Sequence, residues 1–300
     1  MSDEHNPEIQ TYLLMVLTTM FWGGSFVAGK IALPEFPPMT LTFFRYLLAT
    51  VMIFPYMWIK EERKTPAKKD YVLLFVLGLL GISGYFAFQF TALLYTSAAS
   101  ASTINALNPL TSSIIATFLT DERLTRRKVG LIFLAFSGVL LTVSGGNLST
   151  IINMQFNKGD LIMLLAMVCF AFYGVFSKKA TAKYSPLLVT AYVFLFGLIQ
   201  ITPLMLREGV WMNALSFSGT AWAAIVFMAI GSSVLGYLIQ QVAIKRIGVN
   251  KTSLFINLVP IFATIFAHFV LGDPITAVNI LAILIIATAV FLNTRNGVRD

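Results

Sequence analysis

Amides, hydroxyls and aromatic rings inside long apolar runs are the side chains here whose types and spacing point to chemistry. Asn105 and Asn108 are followed by Pro109, and Asn257 is followed by Pro260. Proline has no N–H and displaces the hydrogen bond to the carbonyl four residues earlier. Pro109 is therefore expected to release the carbonyl of Asn105, and Pro260 that of Ile256. Ser102, Asn105, Asn108 and Ser112 are spaced for one helical face, as are Ser253, Asn257, Thr264 and His268. Tyr85 with Gln89, Tyr237 with Gln241 and Trp22 with Phe26 are each four apart, so each pair shares a face. Rings hold an apolar body, and amides hydrogen-bond a carboxylate or an amine. The predicted substrate-binding set is Trp22, Tyr85, Gln89, Asn105, Asn108, Tyr237, Gln241 and Asn257. Amides in such runs also serve simply to join neighbouring helices, at roughly 0.6 kcal/mol each.

The charged candidates for gating or substrate attraction are Lys30, Arg45, Lys178 and His268. Arg45 alone lies well inside an apolar run, and no mid-run carboxylate is there to pair it. It has three roles open: pointing to an aqueous mouth, bonding carbonyls, or capturing an anionic group. Lys30 and Lys178 are expected at opposite membrane ends, where their ammonium groups reach water. Glu122 and Asp273 fall at run junctions, as caps near Thr125 and Thr276. Little else is reactive. Cys169 is the only cysteine and His5 the only other histidine, so no disulfide, multi-cysteine metal site or histidine cluster is available. No nucleophile–base pair, catalytic residue, metal site or cofactor is expected, and the chain is not read as an enzyme. It has no phosphate-binding glycine loop and no mid-run acid for a carboxylate proton relay. Facilitated diffusion, or coupling through His268 or the substrate's own charge, stays open.

These residues must be positioned by elements that live in lipid. Of 300 residues, 57% are hydrophobic and 11% charged, and the mean hydropathy is +0.81. A soluble domain carries about 25% charge. Ten apolar runs are long enough to cross a bilayer, near residues 12–32, 39–59, 71–95, 97–119, 127–145, 159–177, 187–206, 219–244, 249–271 and 275–293. Alternating their loops puts seventeen Lys and Arg on one side and three on the other. By the positive-inside rule both termini are cytoplasmic. The net charge of +8 is then an orientation signal and not a nucleic-acid surface. The acidic N-terminus is unlike a cleavable leader.

The halves repeat. At a shift of 148, Lys30, Pro38, Thr42 and Pro55 fall on Lys178, Pro186, Thr190 and Pro203. At 152, Gly84, Tyr85, Gln89, Ile104 and Asn105 fall on Gly236, Tyr237, Gln241, Ile256 and Asn257, and at 151 Pro109 falls on Pro260. Five runs per half is odd, so the second half enters the membrane from the opposite side, as in many secondary transporters. The expected fold is all-α integral membrane: ten transmembrane helices as two inverted five-helix repeats. Residues 1–11 form an N-terminal tail, 12–145 the first repeat, 146–158 an extracytoplasmic linker, 159–293 the second repeat and 294–300 a C-terminal tail.

Several motifs carry a resemblance. The run FWGGSFVAGK at Phe21–Lys30, the Arg45-Tyr46 pair in FFRYLLA, NPL at Asn108–Leu110 with DERLT at Asp121–Thr125, Gly130 with Gly138, Val259-Pro260 and GDPIT at Gly272–Thr276 resemble the drug/metabolite transporter superfamily, EamA type. The last motif departs from the family's more usual Gly-Glu. The likeness covers about residues 12–293 and implies a multi-pass cell-membrane carrier of ten helices. Such a carrier commonly exports an amino acid or similar small metabolite by alternating access. A facilitative or proton-coupled carrier of drugs or nucleotide-type metabolites is the alternative, with a membrane enzyme or channel last. The partners expected are a small-molecule substrate and the lipid bilayer, with no nucleic acid; monomer or dimer is left open.

Overall fold

A backbone in hydrocarbon has no water to bond, so each apolar run satisfies its own N–H and C=O groups as helix. The computed structural model describes residues 7–62, 64–119, 126–153 and 156–296. His5, Arg63, Asp121, Glu122, Arg123, Thr125 and Arg299 lie outside the described residues, as does the side chain of Ser253.

Among the described residues all regular structure is helical. Helix α1 is Pro7–Ala32 and α2 is Pro38–Lys60. Next come α3 (Tyr71–Gly78), a π-helical segment Leu79–Gly84, and α4 (Tyr85–Leu93). Helices α5 (Ala98–Asn105), α6 (Asn108–Leu119), α7 (Arg126–Ser144) and the short α8 (Leu148–Ile152) follow, so the linker after α7 carries structure of its own. Then come α9 (Lys158–Thr181) and α10 (Pro186–Glu208). The final stretch is α11 (Gly219–Phe227), a second π segment Met228–Leu235, α12 (Gly236–Ile256), α13 (Val259–Leu271) and α14 (Ala277–Asn296). Helix α1 starts at Pro7, five residues before the apolar run, with a proline in the first turn and Glu8 at the positive helix end.

Among the described residues six helices are long and apolar enough to cross a membrane: Glu8–Ala32, Pro38–Lys60, Lys68–Leu93, Lys158–Thr181, Pro186–Glu208 and Gly219–Ile247. Shorter apolar helices run over Val129–Thr142, Val259–Leu271 and Ala277–Ala289. The expected fourth and ninth runs are each interrupted. Turns at 106–107 and 257–258 separate α5 from α6 and α12 from α13, two to three residues before Pro109 and Pro260. The single faces expected through Ser102–Ser112 and Ser253–His268 are therefore corrected, because each turn resets the rotation about the helix axis.

Helical structure runs through α12 without the loop expected at 245–248, yet the chain folds back there. Trp22 donates to the Ser232 carbonyl at 3.0 Å, while a Cβ on adjacent Gly23 would stand 2.8 Å from the Ala263 amide. A straight helix would place Gly236 and Val259 about 35 Å apart. The reversal lies between Arg246 and Phe255, whose side chains meet the neighbouring residues Thr11 and Tyr12.

Packing follows a paired plan. Helix α1 lies against α11, α12 and α13, and α9 lies against α4, α5 and α6. Helix α2 packs on α10, and α7 on α14. The α2–α10 pair is antiparallel. Glu208 at the end of α10 accepts from the Met39 and Thr40 amides at the start of α2, at 3.0 and 2.7 Å. At the other end Ser185, the N-cap of α10, donates to Glu61 just after α2 at 2.6 Å. Two loop contacts obey the same shift of 148. Ser218 donates its amide (2.6 Å) and its hydroxyl to Glu35, and Lys183 pairs with Asp70 at 2.8 Å. Small residues let these helices approach: a Cβ on Gly78 would stand 2.8 Å from the Gly197 amide.

Candidate functional site

The two π segments sit at corresponding places and perform one job. Widening a helix by one residue re-aims the side chains that follow and exposes carbonyls to outside donors. Tyr85 starts the helix after the first segment, and Tyr237 lies just after the second. The Tyr237 hydroxyl donates across the bundle to the Gly81 carbonyl in the first segment at 3.2 Å. The Trp22 indole donates to the Ser232 carbonyl in the second at 3.0 Å. Each widened turn is thus tied by an aromatic donor from elsewhere, and the three rings converge on one cavity.

That cavity has about 380 Å³ of unfilled space, its open side included. Its lining is Trp22, Ser25, Phe26, Arg45, Tyr85, Phe86, Gln89, Asn105, Phe170, Tyr237 and Ile256. Asn105 and Ile256 are the residues four before Pro109 and Pro260, and the broken helices bring both to it. Tyr85 packs against Phe86 and Phe170 with centroids at 4.6 and 4.7 Å, and donates to Asn105 Oδ1 at 3.3 Å. Gln89 is buried beside them, and its Oε1 has no hydrogen-bond partner among the described residues.

Arg45 is the charge in this wall. It is 1% exposed. Its Nε donates to Ser233 Oγ at 2.8 Å and its Nη1 to Ser25 Oγ at 3.0 Å, with the Met228 sulfur at 3.8 Å. The guanidinium carbon stands 4.2 Å from the centroid of Phe86, a cation–π contact. Of the three roles left open, neither an aqueous mouth nor backbone carbonyls fits these partners. The position 148 residues on is Val193, fully buried at 0% exposure, so the charge belongs to one half only.

Of the residues singled out in the sequence, Trp22, Arg45, Tyr85, Gln89, Asn105 and Tyr237 come together here. Asn108, Gln241 and Asn257 are buried but lie outside the lining. Asn108 Oδ1 accepts from Ser112 one turn on in α6 at 3.4 Å, and Gln241 donates to Tyr173 and Ser177 of α9 at 3.1 Å each, so only Gln241 joins two helices. Lys30 is half-buried at the end of α1. Lys178 and His268 are exposed, the latter with Nδ1 2.9 Å from the Asp273 carbonyl. Asp273 does not cap α14. Thr276 does, accepting the Asn279 amide at 3.2 Å. Ser25, Phe86, Phe170 and Ile256 were not in the sequence-derived set. The repeat register held the clue for Phe170, which falls on Trp22 at a shift of 148.

Comparison with known proteins identifies the family. The model of the EamA-like transporter family matches twice, over residues 9–144 and 157–295. The chain belongs to the EamA-like transporter family. It is 33% identical to the uncharacterized transporter YyaM of Bacillus subtilis (strain 168), over 97% of this chain and 94% of that one. An uncharacterized transporter of Archaeoglobus fulgidus is 32% identical, over 95% of this chain and 97% of that one. A protein of Salmonella typhimurium named a probable amino-acid metabolite efflux pump is 26% identical over 93% of each chain. A solved crystal structure at 19% identity superposes with a TM-score of 0.64, over 96% of this chain and 99% of that one, a likeness of fold alone. This EamA-like protein is thus a multi-pass transporter of the cell membrane and not an enzyme. The cavity lined from both halves is its candidate small-molecule site.

Proposed function

We propose that this EamA-like protein is a secondary transporter that exports an amino acid or similar small metabolite by alternating access through the central cavity. Ten crossings in two inverted five-helix repeats, with both termini cytoplasmic, form the frame. The observation that carries the reading is the convergence of both broken helices, and of the tyrosines that follow both π segments, on one aromatic, amide-lined cavity. The double family match, the antiparallel α2–α10 pair and the shift-related loop contacts support inversion of the second half. The name of the Salmonella relative supports amino-acid cargo. Rings from both halves hold the apolar body, and Gln89 and Asn105 hydrogen-bond its polar end. Glu35–Ser218 at one end and Lys183–Asp70 at the other hold loops of opposite halves together, and they part alternately as the cavity opens to one side and then the other.

The test is efflux of radiolabelled L-phenylalanine, L-leucine and L-threonine from liposomes containing the purified full chain. Flux above that of empty liposomes, lowered several-fold by Gln89→Leu, is expected. No flux of any of the three under any imposed gradient defeats the amino-acid reading. In a Cys169→Ser background, a cysteine at Lys64 should be labelled from the cytoplasmic side. Labelling from outside overturns the orientation.

A further inference from the structure

We infer that Arg45 is the receptor for a carboxylate on the transported molecule, so that this residue selects for negative charge at one end of the cargo. The inference rests on the transporter reading above.

Arg45 is a buried cation without a counter-charge: among the described residues no Asp or Glu lines the cavity. Taking a guanidinium out of water is expensive, and neutral hydroxyls return only part of the cost. The donors of Nε and Nη1 are engaged by Ser233, Ser25 and the Met228 sulfur. The two N–H groups of Nη2 make no hydrogen bond to a described residue. With the face of the group held over Phe86 at 4.2 Å, its free edge is left to meet a planar anion, which is the geometry in which arginine grips carboxylates.

The neighbouring polar atoms divide in the same sense. Because Tyr85 donates to Asn105 Oδ1, the Asn105 amide nitrogen is left as a second donor in the lining. The unpartnered atom of Gln89 is an acceptor, Oε1, buried and without a hydrogen bond. Two donors for a carboxylate, one acceptor for an ammonium and rings for an apolar side chain describe a zwitterion with an apolar body. Val193 at the matching place in the other half supplies no second cation, so the cargo is held asymmetrically. If Arg45 only joined helices, its serine partners would suffice and the charge at the end of the cargo would not matter.

The test is thermal stabilisation of the full chain purified in detergent, titrated with L-phenylalanine, L-leucine and L-threonine and with the carboxamide of each. Half-stabilising concentrations at least tenfold lower for one or more acids than for the matching amide are expected. Acetate, but not acetamide, should compete, and Arg45→Gln should remove the preference. Equal response to acid and amide, no response to any acid, or a preference that survives in Arg45→Gln overturns the inference. The comparison in the unmodified protein decides the matter even if Arg45→Gln does not fold. Acid-selective stabilisation without flux in liposomes would leave the carboxylate site standing and remove the amino-acid export reading. Equal flux of acids and amides would do the reverse.

Discussion

Replacing Glu208 by alanine removes the cap of a helix to which Glu208 does not belong. Helix α2 begins with Pro37 at its N-cap, which offers no side-chain hydrogen bond, so its first amides need acceptors from elsewhere. Glu208 supplies them with both oxygens: Oε1 to the Met39 amide at 3.0 Å, and Oε2 to the Thr40 amide and hydroxyl at 2.7 Å each. A hydrogen bond to a charged group contributes about 1.5–3 kcal/mol. The site is part-exposed and some amides would be rehydrated, so the lower end applies, about 2 kcal/mol for the whole cap. The helix-end charge is included in that figure. At roughly 2–4 °C per kcal/mol for a large domain, Glu208→Ala should lower the melting temperature by about 4 °C. Glu208→Gln should lose about half as much. The assay is tryptophan-fluorescence melting of the purified protein in detergent, with Arg207→Ala beside it as an exposed neighbour that makes no such contact. If Glu208→Ala melts within 1 °C of Arg207→Ala, the trans-cap account of how α2 and α10 are joined is wrong.

Two further outcomes can be checked with the same melting assay. Gly23→Ala should destabilise strongly, because its Cβ would stand 2.7 Å from Phe262 Cβ and 2.8 Å from the Ala263 amide, whereas Gly130→Ala meets no described residue within 4 Å and should be neutral or gain up to about 1 kcal/mol of helix propensity. Equal losses at the two positions would refute the close α1–α13 approach. Hydrogen bonds from the Ser218 hydroxyl and then its amide hold the Glu35 carboxyl below its ordinary value. With the folded value depressed, that stability is present above the ordinary carboxylate range and fades as pH falls through the lowered value. The melting gap between the unmodified protein and Glu35→Gln should hold at neutral pH and close below about pH 4, where free carboxylates protonate. A gap unchanged at pH 3 would refute the assignment.

Much of the frame was legible in the residue string because lipid imposes a local rule. Each apolar run must become a helix, and a proline removes one helical hydrogen bond, which breaks the helix before Pro109 and Pro260 but is absorbed at Pro55 in α2 and Pro203 in α10. The weak points at Pro109 and Pro260 followed from that rule, and the internal repeat gave the register that pairs Tyr85 with Tyr237. The rule fails where local signals are weak. Nothing in Leu79–Gly84 or Met228–Leu235 announces a π segment, since one extra residue in a helix is set by what the widened turn packs against. The reversal inside α12 was expected as a loop but keeps its helical hydrogen bonding through residues 245–248. The faces drawn through Asn108 and Asn257 were straight-helix constructions, and the turns displaced both amides from the cavity wall.

Composition, apolar spacing and the internal register alone determined that this chain lives in a membrane, is built in two related halves and keeps fixed charge near the ends of its spans except at Arg45. They were sufficient because solvent and backbone hydrogen bonding act on each segment separately. What Arg45 does was decided only by the tertiary structure. Its serine partners come from α1 and from the second π segment, and its aromatic face comes from α4. Side chains on three different elements define the chemistry of that cation, and contacts between elements so far apart in the chain leave no mark in the spacing of any one of them.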